Sequence, residues 1–445
     1  MRKRLLLLLW LLFTLLPFSI MAQGRGEILV LDAKGPIMPP MLEYFRRAIR
    51  LAEREQAELL LIQLNTPGGS LDTTTEIIQE FRASRVPIVI YISPNGAMAG
   101  SAGALISLAA HQIGMAPETS IGAASPVGSG GENLGETMEK KVKEITKASI
   151  RPLVEKRGPN ALRLAESMID EARAVSAQEA LQAGLVDVIA VDVQDLLQKL
   201  NGKQVEVAGG VRTLQTANAP LRSLPMSLIE RLLLTLTDPN IVFLLIGIGV
   251  QAILIELSSP GGWVSGFIGV LCLALATYGL GVLPVNWLGL ILIAIAFVLF
   301  ILDLKAPTHG ALTAAGAGTF IAGALVLFNS PASPEFLRVS PVLVLSVGIL
   351  LGLGFALAMS LALRAQHVPL SMGRETLIGQ QGIAQVTFSS GRGQVLLNAE
   401  LWSAESIPGS APIRKGDRVE VIAVEGLRLK VQKVREVPAS DTGTH

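Results

Sequence analysis

The chain has 445 residues, of which half are hydrophobic and 16% are charged, and its net charge is +1. This composition, with a mean hydropathy of +0.51, is too apolar for an ordinary soluble protein and predicts membrane-spanning segments. The near-zero charge, without a basic patch, gives no reason to expect nucleic acid as a partner. The single cysteine, Cys272, excludes an intrachain disulfide and a cysteine-based metal site.

Residues 1–22, "MRKRLLLLLWLLFTLLPFSIMA", have the layout of a secretory signal peptide. A basic start precedes an apolar stretch, and the small residue Ala22 stands before a cleavage position. Ile20 fits poorly three residues before the cut, so a retained signal anchor is the alternative. Either arrangement predicts that the domain after it is exported to the extracytoplasmic side of the cell membrane.

Residues 23–218 alternate β-rich runs with helical patterns. The runs "EILVLDA", "ELLLIQLN" and "PIVIYIS" predict strands, and "MLEYFRRAIRLAEREQA" places Leu42, Phe45, Ile49 and Ala52 on one helical face. Strands separated by helices predict βαβ units and a parallel sheet. Ligands of such sheets bind at the carboxyl ends of strands, where "NTPGGS" and "NGAMAGS" lie.

Small residues surround one hydroxyl, Ser101, in "NGAMAGSAGALI", where a predicted strand leads into a helix. Small side chains let a ligand or another backbone approach closely, and the first turn of a helix has free N–H groups. The pattern suits a nucleophile, but a packing turn in an α/β domain would give the same signal.

A nucleophilic serine needs a base. Of the histidines, only His111 lies in the α/β region, and ten residues of helix would separate it from Ser101 by about 15 Å. A lysine is the alternative, because burial can lower the pKa of its amine. Four candidates occur downstream: Lys140, Lys141, Lys143 and Lys147. Their spacing alone does not select one of them.

Residues 219–368 are predicted to form a membrane domain. Residues 192–238 predict a strand pair followed by an amphipathic helix, which leads into the first apolar helix. About five transmembrane helices are predicted, near 241–257, 263–283, 286–303, 309–328 and 341–363. The first two are joined by the short "ELSSPGGW", so a tight hairpin or one re-entrant segment are the alternatives there.

Residues 369–436 turn polar and contain five short alternating runs, which predict a small all-β barrel of the OB type. Basic residues and exposed aromatic residues are sparse in this region. A protein-interaction or scaffold role is therefore favoured over nucleic acid binding. Residues 437–445 are predicted to be a tail.

Three motifs occur in order: "LNTPGGSLD", "GAMAGSAGALISLAAHQIGMAPETSIGAASPV" and "SAQEALQAGLVDVIA". They resemble the membrane-bound serine proteases of the NfeD family, relatives of Clp-type proteases, and the resemblance covers the whole chain. It implies a Clp/crotonase-like α/β fold, Ser101 as nucleophile and Lys141 as base. It also implies an oxyanion hole formed by the backbone N–H groups of Gly69 and Ala102. Gly100 replaces an alanine that the family often has before the serine, which predicts a looser turn.

The resemblance further implies that the substrate is a protein or peptide, cleaved within apolar segments of stomatin- or prohibitin-like membrane proteins. It also implies assembly into at least a dimer. It implies no cofactor and no metal. Two alternatives stay open at this stage. One is a crotonase-type enzyme that stabilises thioester enolates, and the other is a non-catalytic membrane scaffold that partners a stomatin-like protein.

Overall fold

The computed structural model of the chain describes residues 26–126, 135–258, 261–306, 308, 310–329, 337–366 and 377–434. The predicted signal peptide (1–22) and tail (437–445) lie outside these ranges. The chain forms two compact units, Met1–Ser360 and Leu361–His445. Together they contain the three parts that the sequence predicts: an α/β region, a set of apolar helices and a β-barrel.

Eleven strands are described in the α/β region: β1 (Ile28–Lys34), β2 (Leu59–Asn65), β3 (Ile88–Ile92), β4 (Met98–Gly100), β5 (Gln112–Met115), β6 (Ser120–Gly122), β7 (Ala174–Ser176), β8 (Val188–Ile189), β9 (Gln204–Val207), β10 (Gly210–Thr213) and β11 (Leu221–Ser223). The described helices of this region are α1 (Pro39–Glu55), α2 (Leu71–Ala83), α3 (Ala102–Ala109), α4 (Glu136–Val154), α5 (Pro159–Asp170), α6 (Ala177–Gln182), α7 (Val193–Leu200) and α8 (Leu228–Thr235).

Six strands form the central sheet in the order β11-β1-β2-β3-β5-β8, and every neighbouring pair is parallel. Helices follow the strands, as the alternating pattern predicts. Alternate residues of β2 enter two hydrophobic clusters, Leu60 and Ile62 in one and Leu59 and Leu61 in the other. Burial on both faces explains why this strand is a continuous apolar run.

The sheet extends past residue 218, the predicted end of the α/β domain. β11 pairs in parallel with β1, with Leu221 opposite Ile28. A three-residue edge strand has too few positions for a recognisable alternation, so the sequence pattern did not reveal it. Outside the central sheet, β4, β6 and β7 form a small sheet, and β9 and β10 form the predicted hairpin.

The apolar region contains the described helices α9 (Pro239–Ser258), α10 (Val264–Val282), α11 (Trp287–Lys305), α12 (Ala311–Phe328) and α13 (Pro341–Gln366). Within the described residues, α9, α10 and α12 are long and apolar enough to cross a membrane. The apolar parts described for the other two are shorter, Trp287–Asp303 and Pro341–Leu357. The count of about five spans therefore stays a prediction.

A carboxylate closes the turn after α9 and another closes the turn after α11. Glu256 accepts hydrogen bonds from the Ser265 hydroxyl at 2.6 Å and the N–H of Gly266 at 3.3 Å. Asp303 accepts hydrogen bonds from the hydroxyls of Thr308 and Thr313. Each carboxylate thus satisfies donors near the start of the following helix, where N–H groups are free and a negative charge is favoured.

The second unit contains a closed five-stranded barrel in the order β12-β13-β14-β16-β15. Its strands are β12 (Gln381–Ala384), β13 (Arg392–Leu397), β14 (Glu400–Ser406), β15 (Arg418–Glu425) and β16 (Arg428–Lys433). Its core consists of small and branched apolar residues, among them Val395, Val419, Val421, Leu429 and Val431. The predicted small barrel is confirmed, and the five predicted strands correspond to the observed ones.

Candidate active site

Ser101 lies between β4 and α3, at the turn that the small-residue pattern predicts. Its backbone has φ 49° and ψ −111°, a conformation that costs a non-glycine residue about 1–3 kcal/mol. The N–H of Ser101 donates to the carbonyl oxygen of Gly122 at 2.8 Å, which ties the turn to β6. Such strained positions occur at functional sites, where the surrounding structure holds them in place.

The segment Thr66–Gly69 lies against Ser101. A Cβ added to Gly68 would lie 2.8 Å from the Cβ and 3.4 Å from the Oγ of Ser101. A Cβ on Gly100 would lie 2.9 Å from the carbonyl oxygen of Pro67. Gly100 therefore permits a close approach of two backbones, and the looser turn stays a prediction.

Thr66 joins the two segments that meet at the site. Its N–H donates to Met98 O at 2.8 Å, and its carbonyl accepts from the N–H of Gly100 at 2.9 Å. Its Oγ1 accepts from the N–H of Gly68 at 3.1 Å, and the residue is fully buried. Thr66 was not among the site residues predicted from the sequence. Its position at the carboxyl end of a buried strand was the available signal.

A residue before α1 holds the same segment from the other side. The N–H of Ile37 donates to Gly68 O at 2.8 Å, and Ile37 O accepts from the N–H of Ser70 at 2.9 Å. A Cβ on Gly69 would lie 2.0 Å from Ile37 O, so no larger residue fits there without a backbone shift. We call residues 67–69 the PGG loop.

The two predicted oxyanion donors are free within the described part of the chain. Neither the N–H of Gly69 nor that of Ala102 has a hydrogen-bond acceptor there. Ala102 is the first residue of α3, where N–H groups have no partner in the helix. Two unpaired donors next to a strained serine are the arrangement that stabilises an anionic tetrahedral intermediate.

The four candidate lysines of α4 differ in their partners. Lys140 pairs with Glu136 at 2.7 Å, and Lys143 pairs with Glu139 at 2.7 Å. Lys147 contacts Glu144 and Asp170, and these carboxylates raise the pKa of its amine, which keeps it protonated. Lys141 has no ion pair or hydrogen bond with any described residue.

Lys141 is exposed on α4, and no hydrogen bond joins it to Ser101 within the described residues. Helix α4 packs against α3, the helix that follows Ser101. The burial expected of a lysine base is therefore not provided by the described residues of one chain. The structure brings Ser101, Ala102 and the PGG loop together and leaves Lys141, the expected base, at the surface.

His111 has a structural role. It follows the end of α3, and its Nδ1 accepts a hydrogen bond from the N–H of Ile88 at 3.0 Å. Burial, and secondarily the charge of Arg82, lowers its pKa to about 4. The neutral imidazole thus joins the start of β3 to the segment before β5, in agreement with the expectation that His111 is not the catalytic base.

Comparison with known families covers all three parts of the chain. Residues 29–209 match the NfeD1b N-terminal domain, residues 240–361 match the NfeD integral membrane domain, and residues 374–433 match the NfeD-like C-terminal, partner-binding domain. A membrane-bound protease of Pyrococcus horikoshii is 35% identical over 444 residues, which are 98% of this chain and 99% of that protein. The chain belongs to the NfeD family.

Another relative is the membrane protein NfeD1b of Bacillus subtilis, 24% identical over 449 residues, with 95% of this chain and 97% of that protein covered. A solved structure of a Pyrococcus horikoshii membrane protease specific for a stomatin homologue is 34% identical. It covers 48% of this chain and all of that one, with a TM-score of 0.42. A variant of such a stomatin-specific protease, in complex with a substrate peptide, is 33% identical over 48% of this chain and 98% of that one, with a TM-score of 0.44. This NfeD family member is a membrane-bound protease.

Proposed function

We propose that the chain is a serine endopeptidase that uses Ser101 as nucleophile and Lys141 as general base. The observation that carries this proposal is the strained Ser101 backbone beside two unpaired N–H donors, those of Gly69 and Ala102. A packing turn does not require a strained serine backbone, which costs about 1–3 kcal/mol, whereas a nucleophile beside N–H groups that lack acceptors gives this strain a purpose.

In the first half of the proposed reaction, Ser101 Oγ attacks the carbonyl carbon of the scissile peptide bond, and Lys141 Nζ takes the hydroxyl proton. The carbonyl oxygen becomes an oxyanion that accepts hydrogen bonds from Gly69 and Ala102. The C–N bond then breaks, and the Lys141 ammonium returns the proton to the leaving amine. In the second half, water attacks the acyl ester while Lys141 takes its proton; the ester C–O bond then breaks, and the Lys141 ammonium returns the proton to Ser101 Oγ as the new carboxyl terminus leaves.

The choice of Lys141 rests on the pairing of the neighbouring lysines and on the family resemblance. A general base needs a free amine, and Lys140, Lys143 and Lys147 are each engaged in an ion pair with a carboxylate. Lys141 alone among these four has no such carboxylate within the described residues.

For the substrate, we propose an apolar segment of a stomatin- or prohibitin-like membrane protein. The support is the sequence identity of 34% to a protease described as specific for a stomatin homologue. The C-terminal barrel matches a domain described as partner-binding, so we propose that it binds the same class of membrane protein. An extended peptide would add backbone hydrogen bonds beside the PGG loop.

We further propose that the protease acts as at least a dimer. On α4, Met138 and Ile145 are 54% and 69% exposed. They lie three residues before and four residues after Lys141, so all three share one helix face. A second copy of the chain that covers this face would remove the amine from water, as a neutral lysine requires. Ile145→Asp should then lower both the oligomer mass and the activity, and an unchanged mass would contradict the assignment of this face.

We place the α/β domain on the extracytoplasmic side, because the N-terminal sequence has the layout of a secretory signal. A cysteine at the exposed position Asn218, in a Cys272→Ser background, should react in intact cells with a maleimide that does not cross membranes. Labelling only after cell lysis would place the domain inside.

The test of the activity uses the full-length chain in lipid nanodiscs. Peptides from apolar segments of a stomatin-like protein are incubated with the wild type, Ser101→Ala, Lys141→Ala and the matched control Lys140→Ala. Cleavage is followed by mass spectrometry. We expect cleavage by the wild type and Lys140→Ala, losses of at least about a thousandfold in the two dyad variants, and a rate that rises with pH.

Three results would redirect the proposal. Equal cleavage by the wild type and Ser101→Ala would exclude Ser101 as nucleophile. Absence of cleavage by the wild type, with retained binding of the stomatin-like protein, would favour the non-catalytic scaffold. Binding of an acyl-CoA would favour the crotonase-type alternative.

A further inference from the structure

Met38 connects the α/β domain to the apolar helices. It is the residue before α1 and is 2% exposed. Its hydrophobic neighbours do not belong to the α/β core. It is part of the cluster formed by the apolar helices and the segment before α13, which includes Val242, Phe243 and Val339.

The residue before Met38 pairs with the proposed oxyanion loop. Ile37 donates to Gly68 O at 2.8 Å and accepts from the N–H of Ser70 at 2.9 Å. These two hydrogen bonds flank Gly69, whose N–H is the proposed oxyanion donor. One peptide unit therefore separates a side chain buried in the membrane domain from the backbone that fixes this donor.

Helix α1 has a second attachment to the chain that leads into the membrane. Arg47 forms an ion pair with Glu230 of α8 at 2.8 Å and also donates to Pro225 O at 2.8 Å. The Tyr44 hydroxyl donates to Leu224 O. Helix α8 ends four residues before α9 begins, by the bounds Leu228–Thr235 and Pro239–Ser258, so Glu230 lies on the segment that leads into the first apolar helix. Helix α1 is thus fixed to the membrane domain at its start and along its length.

We propose that Met38 is a positioning residue through which the membrane domain holds the PGG loop in its oxyanion-binding geometry. The catalytic part of this inference rests on the proposed function, because it takes Gly69 as an oxyanion donor. Its structural part, that packing of Met38 in the membrane cluster fixes residues 37 and 68–70, holds independently of catalysis. Loss of the Met38 side chain frees the backbone at Ile37, and the loop then samples positions in which the Gly69 N–H no longer points at the oxyanion.

A matched control is available three residues later, in the first turn of α1. Met41 is fully buried, but it packs in the α/β core and not in the membrane cluster. Met38→Ala and Met41→Ala remove the same atoms, and each leaves a cavity that lowers stability. Met38→Leu keeps the volume within the membrane cluster and is the conservative rescue.

The experiment compares the full-length wild type with these three variants in lipid nanodiscs. Hydrogen–deuterium exchange reports on the amides of Ile37 and Ser70, which are the donors of the two hydrogen bonds around Gly69. Kinetics with an apolar peptide, and inhibition by the corresponding peptide aldehyde, report on the oxyanion hole.

We expect Met38→Ala to speed exchange at Ile37 and Ser70 by about tenfold or more, which corresponds to about 1.4 kcal/mol of local stability. It should lower kcat and weaken aldehyde inhibition, with KM unchanged. Met38→Leu should resemble the wild type, and Met41→Ala should show no selective change at these two amides. Equal effects of Met38→Ala and Met41→Ala, or unchanged exchange in Met38→Ala, would overturn the proposal. Faster exchange without any proteolysis by the wild type would retain the coupling and reject the proposed function.

Discussion

Gly68 and Ser101 are in such close proximity that the first residue cannot have a side chain. A Cβ on Gly68 would lie 2.8 Å from the Cβ of Ser101, well inside van der Waals contact, and the backbone of Gly68 has φ +130°. Glycine at this position therefore serves two purposes. It allows the positive φ, and it lets the PGG loop lie directly against the proposed nucleophile.

Gly68→Ala should lower kcat strongly, beyond what its loss of folding stability explains. The methyl group displaces either Ser101 or the loop that contains Gly69, so we expect a loss of at least about a hundredfold in kcat. Gly210→Ala is the control, because Gly210 has φ +112° and open space around it. This control should lose about 1–3 kcal/mol of stability from strain alone and retain its activity. Comparable activities of the two variants would contradict the contact.

Gly100→Ala tests the close approach of β4 to the PGG loop. The added Cβ would lie 2.9 Å from Pro67 O, and backbone atoms must move to relieve this contact. We expect a lower unfolding temperature and at least a tenfold loss of activity. Higher stability in the alanine variant, measured by thermal unfolding in detergent, would show that the turn accommodates the side chain.

Thr66→Val removes the hydroxyl that accepts from the N–H of Gly68. The N–H of Gly68 then has no acceptor, and because Thr66 is buried, water does not replace the hydroxyl. The cost is about 1–3 kcal/mol of stability. Thr66→Ser retains the hydroxyl and is the matched control. We expect the valine variant to lose activity through disorder of the PGG loop, and the serine variant to keep most of it. Equal activity of both variants would show that this hydrogen bond does not position the loop.

Stability should fall in mildly acidic solution because of His111. The unfolded chain takes up a proton near pH 6.5, but burial, and then the charge of Arg82, lowers the folded pKa to about 4. The stability linked to this group is therefore fully present above pH 6.5 and is lost as the pH falls from 6.5 towards 4, by at most about 3 kcal/mol.

The check is His111→Asn, which keeps a hydrogen-bond acceptor and cannot titrate. Its unfolding temperature should fall less than that of the wild type between about pH 7 and about pH 4.5. The same slope in both proteins would assign the acid sensitivity to other groups.

The sequence by itself determined the large features, because each has a strong local signal. Continuous apolar runs marked the buried strands and the membrane helices, and the 3.6-residue period marked α1 with its buried Leu42 and Phe45. Short alternating runs marked the five barrel strands. Ser101 was recognisable because a strand-to-helix turn of small residues has few purposes besides packing and ligand approach.

Only the tertiary structure decided how distant segments complete the site. The burial of Thr66, the pairing of Ile37 with the PGG loop and the place of Met38 in the membrane cluster depend on contacts between residues far apart in the chain. Spacing does not reveal a long-range carboxylate partner of a lysine, such as Asp170 beside Lys147. Local patterns record which face of an element is apolar, but they hold no information about which backbone carbonyl or side chain the folded chain will place opposite a given N–H.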